Sequence, residues 1–219
     1  MLKVRYFRFK TAGGITALKR AVNRLDHRSP VVVTRLEDAD IVFTHTVSRE
    51  VQVIEALPDG EEVVKSYPSI ERRLIRAFMR DDNVFFSIVD PPRSGRAMLD
   101  ALSVLLPDVQ FFLEPLEISL PLITAHTKNF SSARLVSAKV RDFQVTTSSV
   151  GRLEVTSKEG LPEEIAPFLE GKFYRLDSVA YEVTHDFTRG LITYSSNGTV
   201  RVSGPLVDVA FPSFESVLR

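Results

Sequence analysis

The chain has no cysteine anywhere in its 219 residues. That absence removes disulfides, thiolate metal ligands and cysteine nucleophiles together, and it fits a reducing compartment. No run of about 18 consecutive apolar residues is present, so no membrane-spanning helix is expected. The opening MLKVRYFRFK lacks the apolar stretch of a secretory signal. The expectation is a cytoplasmic protein. There is also no excess charge of either sign: 28 basic residues balance 28 acidic ones. A protein that coats nucleic acid through bulk charge alone is therefore not expected. Chemistry-bearing signatures are equally scarce, with no GxGxxG, P-loop, HExxH or GxSxG pattern. The only histidines are His27, His45, His126 and His185, and none pairs with another His or a suitable carboxylate at helical spacing. Neither a metal site nor a cofactor is expected.

What is present is an ordinary globular composition, 44% hydrophobic and 26% charged, long enough for one domain or two small ones. Charge is unevenly distributed. Residues 1 to 30 carry Lys3, Arg5, Arg8, Lys10, Lys19, Arg20, Arg24 and Arg28 against Asp26 alone, whereas residues 31 to 68 are mainly acidic. A dipolar surface follows.

The main organisational signal is an internal similarity. TRLEDADIVFTHTVSR (34–49) aligns without a gap on YRLDSVAYEVTHDFTR (174–189). Arg35/Arg175, Leu36/Leu176, Thr44/Thr184, His45/His185 and Arg49/Arg189 are identical. Each copy is followed by a strand–turn–strand pattern with Asp59-Gly60 or Asn197-Gly198 at the turn, where positive φ is needed. Each hairpin is followed by a Pro-Ser segment, YPSIERRLI (67–75) or FPSFESVLR (211–219), which carries a helix-start signal. Upstream, the first half predicts a strand over 2–9, then a helix with Ile15, Leu18, Val22 and Leu25 on one face. The second half predicts strands over 133–146 and 152–156 and a short helical turn in GLPEEIAPFLEG. Between the copies lie NVFFSIVD as a strand, GRAMLDALSVLL as a helix and VQFFLEPLEISLPLI as a strand.

The expected fold is therefore α+β. It comprises two tandem repeats of an antiparallel sheet with helices on one face, related by a pseudo-twofold axis, over residues 1–125 and 126–219. Two such units resemble, in outline, the duplicated architecture of TATA-binding-protein-like domains, whose pseudo-symmetric sheet offers a saddle to a duplex. SIVDPPRSG (87–95) resembles the DPPR-x-G segment of the RNA uracil-5-methyltransferases. That family implies a cysteine nucleophile, which this chain lacks, so the segment reads as a proline-stiffened strand-to-helix turn with Ser94 as cap.

Three functions are compatible with these signals. The first is non-enzymatic nucleic-acid binding through a sheet surface. Arg35, Arg49, Arg175 and Arg189 would be presented in related pairs with His45 and His185, and Lys3 and Arg5 would sit beside the stackable aromatics Tyr6, Phe7 and Phe9. KVRYFRFK can also be read as an edge strand guarded by its cations, with its aromatics in the core. The second is a protein-binding scaffold subunit, for which neutral net charge is natural; a homo-oligomer is compatible with the same signals. The third is an enzyme acting between the units with His45 and His185 as acid–base groups.

Overall fold

The computed structural model describes residues 1–25, 29–56, 60–92, 95–107, 109–146, 149–157, 159–161 and 173–219. The helical turn expected within 162–171, together with His27, Asp59 and Ser94, lies outside them. The strands are β1 (Leu2–Thr11), β2 (Val31–Leu36), β3 (Asp40–Ala56), β4 (Glu62–Arg80), β5 (Asn83–Val89), β6 (Phe111–Pro115), β7 (Ser132–Thr146), β8 (Ser149–Thr156), β9 (Arg175–His185), β10 (Thr188–Ser195) and β11 (Thr199–Val202). The helices are α1 (Gly14–Val22), α2 (Arg96–Leu105), α3 (Leu120–Thr127) and α4 (Val207–Ser216). The protein is α+β, with one eleven-stranded sheet in the order β2-β3-β4-β5-β1-β11-β10-β9-β7-β8, and β6 also paired to β1. All its pairings are antiparallel.

β1 is central rather than an edge. One side pairs with β5 along Val4–Phe9, and the other pairs first with β11 and then with β6. Its side chains alternate between two cores because successive residues of a strand point to opposite faces. Val4 and Tyr6 enter one core, with Ile123 of α3 and Phe211 and Phe214 of α4. Phe7 and Phe9 enter the other, with Ile15 and Leu18 of α1 and Met98 and Leu102 of α2. The helices therefore cover opposite faces of the sheet, not one face as expected. A strand apolar on both sides has to be sandwiched, and the two helix pairs supply the two layers.

Two further expectations are corrected. YPSIERRLI (67–75), read as the start of a helix, lies within strand β4, in continuous register with β3 from Asp40–Phe78 to Ala56–Glu62. The Pro-Ser-Glu signal is local, and a long ladder that also buries Ile75, Ala77 and Phe78 outweighs it. VQFFLEPLEISLPLI is not one strand: β6 ends at Pro115, and α3 starts after Ser119 with a proline in its first turn. The expected helix at 211–219 is real but begins at Val207, with Pro212 inside it.

The two halves do not share one strand order. β1 joins the last strand of the meander β2–β5, whereas β7 joins the first strand of the meander β9–β11. The aligned stretches also follow different courses. Residues 34–49 run from the end of β2 through a turn into β3, while 174–189 comprise β9 and the turn into β10.

Gly198 locks the β10–β11 hairpin onto β1. Its φ is +85, its carbonyl accepts from the Tyr6 N–H at 2.8 Å, and a Cβ there would lie 2.5 Å from the Tyr6 carbonyl oxygen. Gly198→Ala is expected to destabilise the protein by about 2–4 kcal/mol, combining backbone strain and overpacking. Urea unfolding of the two proteins measures the difference.

Candidate nucleic-acid interface

Across β1, β11, β10, β9, β7 and β8 the register aligns residues into rows. One row reads Val4, Val200, Tyr194, Val179, Ala138, Val155 and lies over the helices α3 and α4. The next row, on the other face, reads Arg5, Thr199, Ser195, Ser178, Lys139, Glu154. Two residues along each strand, the same face reads Lys3, Arg201, Thr193, Ala180, Ser137, Thr156. Beyond these lie Arg189 opposite Thr184, and Arg134 opposite Glu182. No described helix packs on this face over β11, β10, β9, β7 and β8; on β1 the open part ends at Phe7 and Phe9, which α1 and α2 cover. It is built from small and hydroxyl side chains with cations standing among them: Lys3, Arg5, Arg201, Arg189, Arg134 and Lys139 against Glu182 and Glu154.

Some of these cations are paired. Arg189 and Arg134 both bond to Glu182, and their hydrogen bonds hold its carboxyl below the usual range. Lys139 meets Glu154 at 2.7 Å. Arg5 donates from Nε to the Asn197 carbonyl at 3.3 Å and stacks over Phe7. Lys3 and Arg201 have no carboxylate partner among the described residues. An open sheet face with this composition can take phosphate oxygens through guanidinium and ammonium groups, with serine and threonine hydroxyls as further donors.

The expected residues divide between unlike places. Lys3, Arg5 and Arg189 stand on this face, and Arg175 continues it beside Arg141, paired with Asp142 at 3.7 Å. Arg35 is on the opposite face of the sheet, bound to Asp40 at 2.8 Å. Arg49 projects from the exposed end of β3, opposite Ser69. The four arginines thus do not form two related pairs. His45 is buried between α2 and β4, where burial, then the Arg73 cation, lower its pKa and Asp100 opposes. His185 lies at the end of β9, 3.3 Å from Asp186. They lie on strands separated by β4, β5, β1, β11 and β10, so they do not share a site. Tyr6, Phe7 and Phe9 are all buried, which removes them as stacking platforms.

Arg201, Lys139 and Arg134 were not singled out in the sequence. The signal was there in the alternation of TVRV and SAKV, which sets the cation on the face opposite the valines. A buried polar cluster was not legible at all. Arg76 bonds Asp40 at 2.9 Å and also Glu215, whose other oxygen accepts from the Tyr6 hydroxyl at 3.4 Å. Burial pushes the Glu215 carboxyl up while Arg76 opposes, and the same guanidinium raises its own pKa through Asp40. The cluster lines a cleft of about 630 Å³ between α4 and the β2–β5 half of the sheet, with Thr34, Arg35 and Ser87. Its members are far apart in sequence, so no local pattern marks them.

No protein-family model and no curated protein matches the chain. Among the described residues, no group of three or more His, Asp or Glu could hold a metal ion, and no helix is long and apolar enough to cross a membrane.

His126 sets a pH dependence. It is fully buried, its Nδ1 is 2.6 Å from the Tyr194 hydroxyl, and burial lowers its pKa to about 4. The unfolded chain protonates this group near 6.5 and the fold only near 4. The unfolded state thus binds more protons across that window, and stability falls as pH falls through it. The contribution is about 3 kcal/mol. His126→Phe is expected to flatten this limb relative to the parent, read from urea unfolding at pH 7, 5.5 and 4.5.

Proposed function

We propose that the protein binds nucleic acid, without catalysis, through the face of β11, β10, β9, β7 and the start of β1 on which no described helix packs. The observation that carries this is the row pattern: the face on which no described helix packs over β11, β10, β9 and β7 is the one where Lys3, Arg5, Arg201 and Arg189 stand among threonines and serines. Net neutrality of the chain does not oppose it, because residues 31–68, in the other half of the sheet, carry eight acidic side chains against three basic ones. Neither of the two rows that carry the cations contains an aromatic side chain. Contacts would therefore go to the sugar–phosphate backbone and carry little sequence preference.

One aromatic stands at the end of this face. Phe187, in the β9–β10 turn, is fully exposed and holds φ +66. A bulky residue in the left-handed region costs about 1–2 kcal/mol, and here no packing offsets it. The two-residue turn requires positive φ at both Asp186 and Phe187, and the ring it holds out into solvent can stack on an unpaired or terminal base.

Binding to labelled duplex DNA and single-stranded RNA across a salt series tests the reading. For duplex DNA, Lys3→Ala/Arg5→Ala/Arg201→Ala is expected to weaken binding and to make the slope of log K against log salt shallower by about 2–3. Arg35→Ala should leave affinity unchanged. No binding by the parent protein at low salt would overturn the proposal. Phe187→Gly is expected to raise unfolding free energy by about 1 kcal/mol while weakening single-strand binding. A variant that gains stability and loses nothing would remove Phe187 from the interface.

A further inference from the structure

The β3–β4 hairpin runs well past the rest of the sheet. β2 pairs with β3 only as far as His45, with the Thr46 N–H donating to the Pro30 carbonyl, and β5 pairs with β4 only from Ile75. From Val47–Glu71 to Ala56–Glu62 the two strands pair with each other alone. The result is a ribbon about 30 Å long at roughly 3.3 Å per residue. A two-stranded ribbon by itself is marginal in water. This one exposes apolar side chains on both faces, with Val51, Val53 and Tyr67 on one and Ile54, Val64 and Ile70 on the other. Ile54 and Ile70 are each 63% exposed.

The two long edges of the ribbon differ. The Thr46 N–H points toward β2, and backbone groups alternate in direction along a strand. The N–H groups of Ser48, Glu50, Gln52, Ile54 and Ala56 therefore point outward along the free edge of β3. On β4 the outward positions are those opposite them, including Pro68, which faces Glu50 and has no N–H to offer. Proline at an outward position guards an edge against strand addition. β3 has no such guard, and on that edge no described strand pairs with it beyond His45.

Charge indicates what could pair there. Residues 47–71 carry Glu50, Glu55, Asp59, Glu61, Glu62 and Glu71 against Arg49 and Lys65. Two such ribbons repel one another, which disfavours a symmetric exchange between copies, whereas an incoming strand rich in lysine or arginine is attracted.

We propose that the β3 edge from Ser48 to Ala56 is a docking site for an extended, basic segment of a partner protein. The segment adds as a strand in line with β2, satisfies the outward N–H and C=O groups, and alternates its cations with apolar residues. This site is separate from the nucleic-acid face and does not depend on it.

Fluorescence anisotropy of the full chain with a labelled alternating Lys–Val decapeptide tests the proposal, with a Glu–Val decapeptide for comparison. Saturable binding of the Lys–Val peptide is expected, at least about tenfold weaker for Gln52→Pro, the scale of losing strand hydrogen bonds. The Gln52 N–H is outside the β3–β4 ladder, so this variant keeps the hairpin, which its circular dichroism verifies. Glu50→Lys/Glu62→Lys reads the charge component without touching the backbone and is expected to weaken binding as well. The proposal is overturned by no binding, by equal binding of the Glu–Val peptide, or by binding that both variants leave unchanged. A concentration-dependent dimer in light scattering, lost in Gln52→Pro, would make a second copy the occupant and overturn the partner-protein assignment.

Discussion

The double burial of β1 is the constraint on which the rest depends. Its backbone is paired on both sides and its side chains are packed on both faces, so it belongs to both cores at once. Tyr6 meets Phe78 and Phe214 on one face, while Phe9 meets Phe86 and Phe111 on the other. Rings in such edge-on and tilted contacts add about 0.5–1.5 kcal/mol per pair beyond their area. Because one strand serves both layers, the β2–β5 half and the β7–β11 half are built onto each other, and the C-terminal hairpin has to return to the N-terminus to complete the sheet.

That sandwich also decides which surfaces stay open. α1 and α2 cover one face over the β2–β5 half, and α3 and α4 cover the opposite face over the β7–β11 half. Each half is left with one face uncovered by its own helices. Over the β7–β11 half that face is cationic and hydroxylic; on the other side of the sheet, beside α4, it forms the cleft around Arg76. The division of chemistry between the faces follows from the strand period of two, applied to strands whose alternate residues are valine, isoleucine and tyrosine.

The Arg76 cluster joins elements that no local contact would hold together. Asp40 at the start of β3, Arg76 in β4, Tyr6 in β1 and Glu215 in α4 share one guanidinium and two carboxylates with limited solvent access. Of its members only Glu215 and Tyr6 are buried, and loss of Arg76 would leave the Glu215 carboxylate without its cation. This arrangement fixes where α4 sits on the sheet and pins the base of the β3–β4 ribbon.

Local pattern was enough to establish much of the secondary structure. β1, β5, β7, β8, the β10–β11 hairpin, α1 and α2 were legible because period two or period 3.6 and their turn residues agree. Lys3, Arg5, Arg175 and Arg189 were legible as cations on such strands. Tertiary structure decided what the local signals could not. Tyr67–Arg80 carries a helix-start signal and became a strand because β3 lay beside it over a long ladder, and such pairing energy is non-local. The similarity of 34–49 to 174–189 did not specify a common course, since a hairpin and a single strand satisfy the same apolar alternation. Which face of each strand would be covered depended on the helices that packed there. Whether Arg35 and Arg189 would meet a common ligand followed from that placement, and they do not share a face.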